Sequence, residues 1–256
     1  MAAAALLCCG CVEDNAFSNE PEQEQEEEEQ PQGVKIYTIS EYQTFKTEVG
    51  ELSSICFNAK ADGFYAVGDE GTVYEIGTNG KTRSLLYDKG NHDWEGVELY
   101  GNSILLMDES ESTLYSLDGG SLKKISVIEI PDGGASGKGP EGIMCVGDEL
   151  YVGNQASPTR IVRFNLKEKA SKGWFDITFV KKNISDLFYD KADNTMWLVD
   201  SKGPAFHHST LDGKLIATYK IPFVDQAEAI AIDHKNGVAW IGCDTSSNLY
   251  KMNIKL

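Results

Sequence analysis

The sequence predicts an all-β fold, a five-bladed β-propeller of four-stranded antiparallel blades, from three observations. An outline of short strands returns at intervals of a little over forty residues, the mark of a repeat array. Turn signals separate the strands within each copy. The last copy ends at Leu256 after three strands, while an unassigned strand-like run, Val34 to Thr47, precedes the first copy.

In order along the chain, the first element is a short apolar run, Ala2 to Leu7, that ends in Cys8-Cys9-Gly10-Cys11. It resembles the end of a bacterial lipoprotein signal, with Gly10 before an acylated Cys11, so residues 1–11 are expected to be a signal and the chain to be held on a lipid bilayer. Residues 12–33 are low-complexity and carry nine acids and no base, with Glu26 to Glu29 unbroken. Such a segment buries too little apolar surface to fold and repels itself, which predicts a solvated tether. Glu13 and Asp14, just after the cysteine, resemble the signal that sends some bacterial lipoproteins to the cell surface. The expected location is thus the envelope, on an outer membrane, facing the periplasm or the outside.

The repeats occupy 34–256. Ser53, Glu95, Glu141, Ser185 and Glu228 form one column, at spacings of 42, 46, 44 and 43 residues. Two residues later every copy is aliphatic: Ile55, Val97, Ile143, Leu187 and Ile230. A second column follows, aligned as Asp69, Asp108, Asn154, Asp200 and Cys243 and preceded by apolar runs such as Ile104-Leu105-Leu106. Third strands follow, such as Val73 to Ile76, and fourth strands such as Lys123 to Ile130 and Lys214 to Ile221. They are rich in β-branched and aromatic residues and are separated by Asp62-Gly63, Gly101-Asn102, Asn236-Gly237 and similar turns. If the N-terminal run supplies the missing outer strand of the last blade, five blades close without a loose edge. Six blades are the alternative, with the N-terminal run inside a degenerate extra unit.

Composition excludes several classes. No stretch approaches 18 apolar residues, so no spanning helix is expected. Removing the tether's nine acids from 40 leaves 31 against 23 bases, a net charge of −8, which repels phosphate backbones and argues against nucleic-acid binding. Cys56, Cys145 and Cys243 lie in apolar strands of different repeats, without CxxC spacing, and are read as free core thiols. The histidines show neither a Ser-His-Asp ordering nor zinc-ligand spacing. His207 and His208 are neighbours on a strand and point to opposite faces. The Gly-rich loop 131–140 lacks the spacing of a phosphate-binding loop and reads as a connection carrying Lys138 on the acidic face.

Glu51-Leu52-Ser53-Ser54-Ile55, Gly68-Asp69-Glu70-Gly71, Asp93-Trp94-Glu95-Gly96-Val97, Gly139-Pro140-Glu141-Gly142-Ile143, Ile184-Ser185-Asp186-Leu187 and Gln226-Ala227-Glu228-Ala229-Ile230 occur in order from residue 34 to the end. Together they resemble the bacterial YjiK/CarP propellers, the SdiA-regulated family. The resemblance implies a propeller, an envelope location and, for some members, a link to calcium. It carries over no enzymatic activity.

In a propeller the innermost strand begins, and the second ends, at the same mouth of the central channel. Asp93, Glu95, Asp108, Glu141, Asn154 and Glu228 are therefore expected to converge there, with Glu51, Asp69, Glu70, Glu109, Asp200 and Asp244 around them. Crowded acids raise one another's pKa unless a cation neutralises them, and an oxygen-only donor set suits Ca2+. Ser53 and Ser185 make blades one and four the weaker contributors. The expected function is a monomeric binding or scaffold module that holds a divalent cation at this mouth and receives a protein or small-molecule ligand there. Two alternatives stand beside it: a calcium-dependent hydrolase acting on phosphate esters or lactones, with His92 as proton shuttle, and a metal-free protein-interaction platform. A purely architectural role for the acids, capping turns at strand ends, is open as well.

Overall fold

The computed structural model describes residues 33–132, 139–156, 158–180 and 183–256. The expected signal with Cys11, almost all of the tether, and Lys138 lie outside these residues. The chain is five sheets around a channel. Two short strands come first, β1 (Lys35–Thr38) and β2 (Tyr42–Lys46). Blade one is β3 (Leu52–Phe57), β4 (Gly63–Gly68), β5 (Thr72–Gly77) and β6 (Thr82–Asp88). Blade two is β7 (Trp94–Tyr100), β8 (Ser103–Asp108), β9 (Thr113–Asp118) and β10 (Ser121–Val127). Blade three is β11 (Pro140–Val146), β12 (Glu149–Asn154), β13 (Arg160–Asn165) and β14 (Ala170–Asp176). Blade four is β15 (Ile184–Asp190), β16 (Thr195–Asp200), β17 (Ala205–Thr210) and β18 (Leu215–Lys220). Blade five has β19 (Ala227–Asp233), β20 (Val238–Cys243) and β21 (Asn248–Asn253) from its own repeat.

The N-terminal run closes the ring as five blades, and it does so twice. β2 pairs antiparallel with β21, Phe45 opposite Leu249, as the missing fourth strand. β1 pairs with β18, in parallel, as a fifth strand of blade four. Tyr37 stacks on Tyr219 at 5.0 Å, and Ile39 N–H donates to the Lys220 carbonyl at 2.9 Å. The run thus crosses the seam between the two last blades and is fastened on both sides of it. Sequence pattern identified the strand-like run but not its division into two partners.

Each inter-blade interface has its own apolar cluster. Cys56 and Val67 meet Trp94, Val97 and Leu106 between blades one and two. Leu105 and Met107 meet Ile143 and Val152 between two and three, and Met144 and Ile161 meet Leu187 and Leu198 between three and four. Trp197, Phe206 and Tyr219 face Ile230 and Ile241 between four and five, and Ala229 and Trp240 face Leu52 and Phe64 across the closing interface. Each fully buried large side chain contributes about 1.5–3 kcal/mol. The inner strands are buried almost throughout, whereas outer strands such as β6 alternate. The three cysteines are free, Cys56 and Cys243 buried and Cys145 partly so.

Candidate functional site: an acidic channel mouth

All five inner strands begin with the same irregularity. Leu52 pairs with Gly68 and Ser54 with Val67, so Ser53 is an extra residue; Glu95 is extra in the same way between Trp94 and Gly96. In blades three, four and five the pairs 141–142, 185–186 and 228–229 oppose single residues of the second strand. A bulge inserts one residue and re-aims its side chain out of the sheet's alternation. This is why the column Ser53, Glu95, Glu141, Ser185 and Glu228 leaves the blade packing for the channel.

The second column is shifted by one residue in blade one. The residues that pair with the inner strands at this end are Gly68, Asp108, Asn154, Asp200 and Cys243. Asp69 shares its position with Glu109, Gln155, Ser201 and Asp244. The two positions do different work. Asp108, fully buried, accepts from Ser110 Oγ at 2.7 Å, from Glu111 N–H at 3.1 Å and pairs with His92 Nδ1 at 2.6 Å. Asp200 accepts from the N–H groups of Lys202 and Gly203, and Asn154 Nδ2 donates to the Ala156 and Pro158 carbonyls. These are turn-capping roles at strand ends.

The mouth itself is lined by the bulge residues and by the position after the cap. Carboxylate oxygens of Asp69, Asp93 and Glu95 lie within 4.8 Å of one another. Burial raises the Glu95 pKa well above its usual range, and Asp69, Glu228, Asp93 and Glu109 raise it further. Glu141, 2% exposed, is raised by burial and then by Glu95, Glu109, Glu228 and Asp69. Glu228 is pushed up to about 8, chiefly by burial. Asp93 and Asp244 are raised by burial and by Asp69. Glu109 accepts from Gly139 N–H at 2.7 Å and hydrogen-bonds the Glu141 carboxyl, an arrangement that needs a proton on one of the two. Gln226 Nε2 bridges Glu228 at 2.8 Å and Asp244 at 2.7 Å. Lys202 is the base whose charge reaches Glu228 and Asp244.

The buried side-chain oxygens without a hydrogen-bond partner among the described residues include Glu141 Oε1, Asn154 Oδ1 and Asp244 Oδ1 at this end of the blades. Of the six ligands expected from sequence, the structure brings Asp93, Glu95, Glu141 and Glu228 together with Asp69. It holds Asp108 in a turn and leaves Asn154 with one free oxygen. The donor set is oxygen-only, and its acids outnumber the one base, Lys202, whose charge reaches Glu228 and Asp244, which fits a hard cation. His92 is fixed rather than free: its Nδ1 is on Asp108, and its ring stacks on Trp94 at 4.2 Å and meets Tyr115 edge-on.

Deeper in the channel lies a residue that sequence reasoning left without a role. Asp186 Oδ1 accepts from Ser54 Oγ at 3.0 Å and Oδ2 from Ile230 N–H at 2.9 Å, and the N–H groups of Leu187 and Ile55 also bond it. Ser54 Oγ in turn accepts from Val97 N–H at 3.1 Å. A Cβ on Gly142 would fall 2.3 Å from Asp186 Cα. Inner strands of blades one, four and five bond this carboxylate, blade three packs its backbone against the residue, and blade two is linked to it through Ser54. The signal was present in the repeat: at this position the other blades have only small residues, Ser54, Gly96, Gly142 and Ala229.

The family model for SdiA-regulated proteins matches residues 37–176 and 172–256. The chain belongs to the SdiA-regulated family. No curated protein sequence matches it. Among solved structures, this SdiA-regulated chain is similar to the glutaminyl cyclase of Myxococcus xanthus, with a TM-score of 0.68 at 10% identity over 86% of this chain and 97% of that one. A streptogramin B lyase structure is similar with a TM-score of 0.50 at 12% identity, over 84% of this chain and 74% of that one. At such identities the likeness is one of fold.

Proposed function

We propose that this SdiA-regulated propeller binds a divalent cation, Ca2+ by its donor chemistry, at the acidic channel mouth and serves there as a binding module for a protein or small-molecule ligand. The observation that carries the reading is Glu141 Oε1, buried and without a partner, among the acids Glu95, Glu109, Glu228 and Asp69. Such a group must be protonated or neutralised by a cation, and about six to eight oxygens in flexible geometry are what calcium accepts. The test is calorimetry with Ca2+ on chelator-stripped full-length protein. Saturable heat that falls away in Glu95→Gln and Glu141→Gln supports the site; equal heats in all three proteins leave the acids as architecture.

A second reading, a calcium-dependent hydrolase, is favoured by one feature. The Asp108–His92 pair, 2.6 Å apart and next in sequence to Asp93, is the kind that orients an imidazole for proton transfer. A bound cation would polarise a substrate oxygen or a water. Phosphoesterase and lactonase activity lost in His92→Gln with calcium binding intact would establish it, and no turnover of either substrate class would dismiss it.

We further propose that a monomeric chain is held on the outer membrane, facing the periplasm or the outside, through acylated Cys11. The support is the sequence Gly10-Cys11 after an apolar run, with an acidic spacer behind it. Cys11→Ala should move the protein from the membrane pellet to the soluble fraction, and an unchanged pellet would count against the anchor.

A further inference from the structure

The opposite face of the ring, at the seam of blades four and five, holds a second cluster with different chemistry. The geometry points to a transition-metal site there, of the kind that takes Zn2+ or Co2+, built from Asp190, Asp193, His234 and His208.

Three separate turns or strands supply these groups. Asp190 ends β15 and Asp193 lies in the hairpin after it. His208 is in the middle of β17, and His234 opens the short 3-10 turn His234–Asn236 between β19 and β20. Ligand atoms of Asp190, Asp193 and His234 all lie within 4.8 Å of one another. His234 Nδ1 is 2.8 Å from Asp190 Oδ2, and His208 Nε2 is 3.4 Å from Asp193 Oδ2. Donors around a tetrahedral zinc, with bonds of about 2.0–2.1 Å, stand about 3.3 Å apart, a spacing that the 2.8 Å and 3.4 Å pairs already approach. His208 enters as fourth donor by giving up its 2.7 Å hydrogen bond to Thr195 Oγ1.

The surroundings resemble those of a built site. Asp190, 3% exposed, is steadied by Trp197 Nε1 at 3.3 Å and by Ala192 N–H at 3.0 Å. The His208 ring is held parallel to Trp197 at 4.1 Å. Outer donors of this kind fix the orientation of metal ligands. The Asp193 and His234 side chains are each 33% exposed, which leaves an ion a way in. Two imidazoles and two carboxylates select a borderline ion over Ca2+, whose sites are all oxygen. The sequence alone did not show this cluster: its histidines are 26 residues apart, in different blades, and neither has zinc-motif spacing.

Full-length protein stripped with chelator is titrated with Co2+ and followed by visible absorption. The expected result is the intense band of tetrahedral cobalt, displaced by Zn2+ and untouched by excess Ca2+, with a raised melting temperature for the zinc-loaded protein. His234→Gln, His208→Gln and Asp193→Asn should each weaken cobalt binding by at least about tenfold. Asp193 is on an exposed turn and Asn keeps its acceptor for Thr195, so this variant separates ligation from folding, with circular dichroism as the check. Absence of the band at millimolar cobalt, its persistence in Asp193→Asn and His234→Gln, or its displacement by calcium would overturn the site.

Discussion

Asp186 and Glu141 are buried carboxylates of one channel, 0% and 2% exposed, that begin at neighbouring positions of the same bulge in adjacent blades. Around Asp186 stand four donors drawn from blades one, four and five; all four bonds lower its pKa, yet burial outweighs them and holds it well above the usual carboxylate range. Around Glu141 stand other acids, and one of its oxygens has no partner. The difference teaches that burial alone does not decide what a channel carboxylate is for. Where backbone and hydroxyl donors replace water, the carboxyl is bonded internally and becomes a pin between blades. Where only like charges replace it, the group waits for a proton or a cation.

The largest expected effect comes from breaking the pin. Asp186→Ala strands the N–H groups of Ile230, Ile55 and Leu187 and the Ser54 hydroxyl in the interior, at a cost of about 3–5 kcal/mol measured by urea unfolding. Asp186→Asn keeps one acceptor oxygen and should fall between the two. If Asp186→Ala unfolds within about 0.5 kcal/mol of the parent, the inner strands are held by their apolar interfaces and the comparison fails.

Glu141→Gln should do the reverse. Without calcium its stability is expected to equal the parent's or exceed it by up to about 1 kcal/mol, because the amide keeps the shape and needs no proton to be neutral among these acids. With calcium at a hundred times its Kd, the parent should gain about 2.7 kcal/mol and the variant little of it. Paired melting curves with calcium and with chelator give both numbers. A variant destabilised in chelator as badly as Asp186→Ala would place Glu141 among the pins.

Much of this was legible in the sequence, for a physical reason. The bulge that turns Ser53, Glu95, Glu141, Ser185 and Glu228 into the channel recurs at a fixed place in each repeat, so function-bearing residues fall into a column. The second column was harder. Blade one has Asp69-Glu70 and blade two Asp108-Glu109, and a one-residue slip between two acidic pairs leaves no trace in composition; only strand register shows that Asp69 corresponds to Glu109. Asp186 and the Asp190–His234 pair depend on which blades meet in space, and periodicity does not encode that. The same holds for β1, whose strand character was readable but whose parallel partner was not.

Acidity supplies a smaller effect. The folded-state pKa of Glu228, about 8, lies above its usual 4.5, so the folded protein holds a proton that the unfolded chain has lost across this window. Stability in chelator is therefore full below about pH 4.5 and declines as pH rises through about 8, by on the order of 1–3 kcal/mol for a partly exposed group. Calcium opposes the decline, so the gap between melting temperatures with and without it should widen from pH 6 to pH 9, and Glu228→Gln should narrow that widening. A gap independent of pH would mean that Glu228 is not discharged by the ion.

The smallest expected effect bears on how the blades divide the work. Ser53 replaces the bulge acid in blade one, which makes that blade the weaker contributor by sequence. Yet its hydroxyl lies 2.8 Å from Asp69 Oδ1 and 2.9 Å from the Glu51 carbonyl, and Asp69 is grouped with Asp93 and Glu95. The serine thus positions an acid at the end of the neighbouring strand instead of supplying one. Ser53→Ala removes a single neutral donor and should cost about 0.5–1.5 kcal/mol in chelator. Its calcium affinity should drop by less than about tenfold, since Asp69 keeps its charge and an ion can take over the lost hydrogen bond. A loss as complete as that in Glu141→Gln would make Asp69 a principal ligand whose geometry the serine dictates, and would move the centre of the site from blades two and three to the seam between one and two.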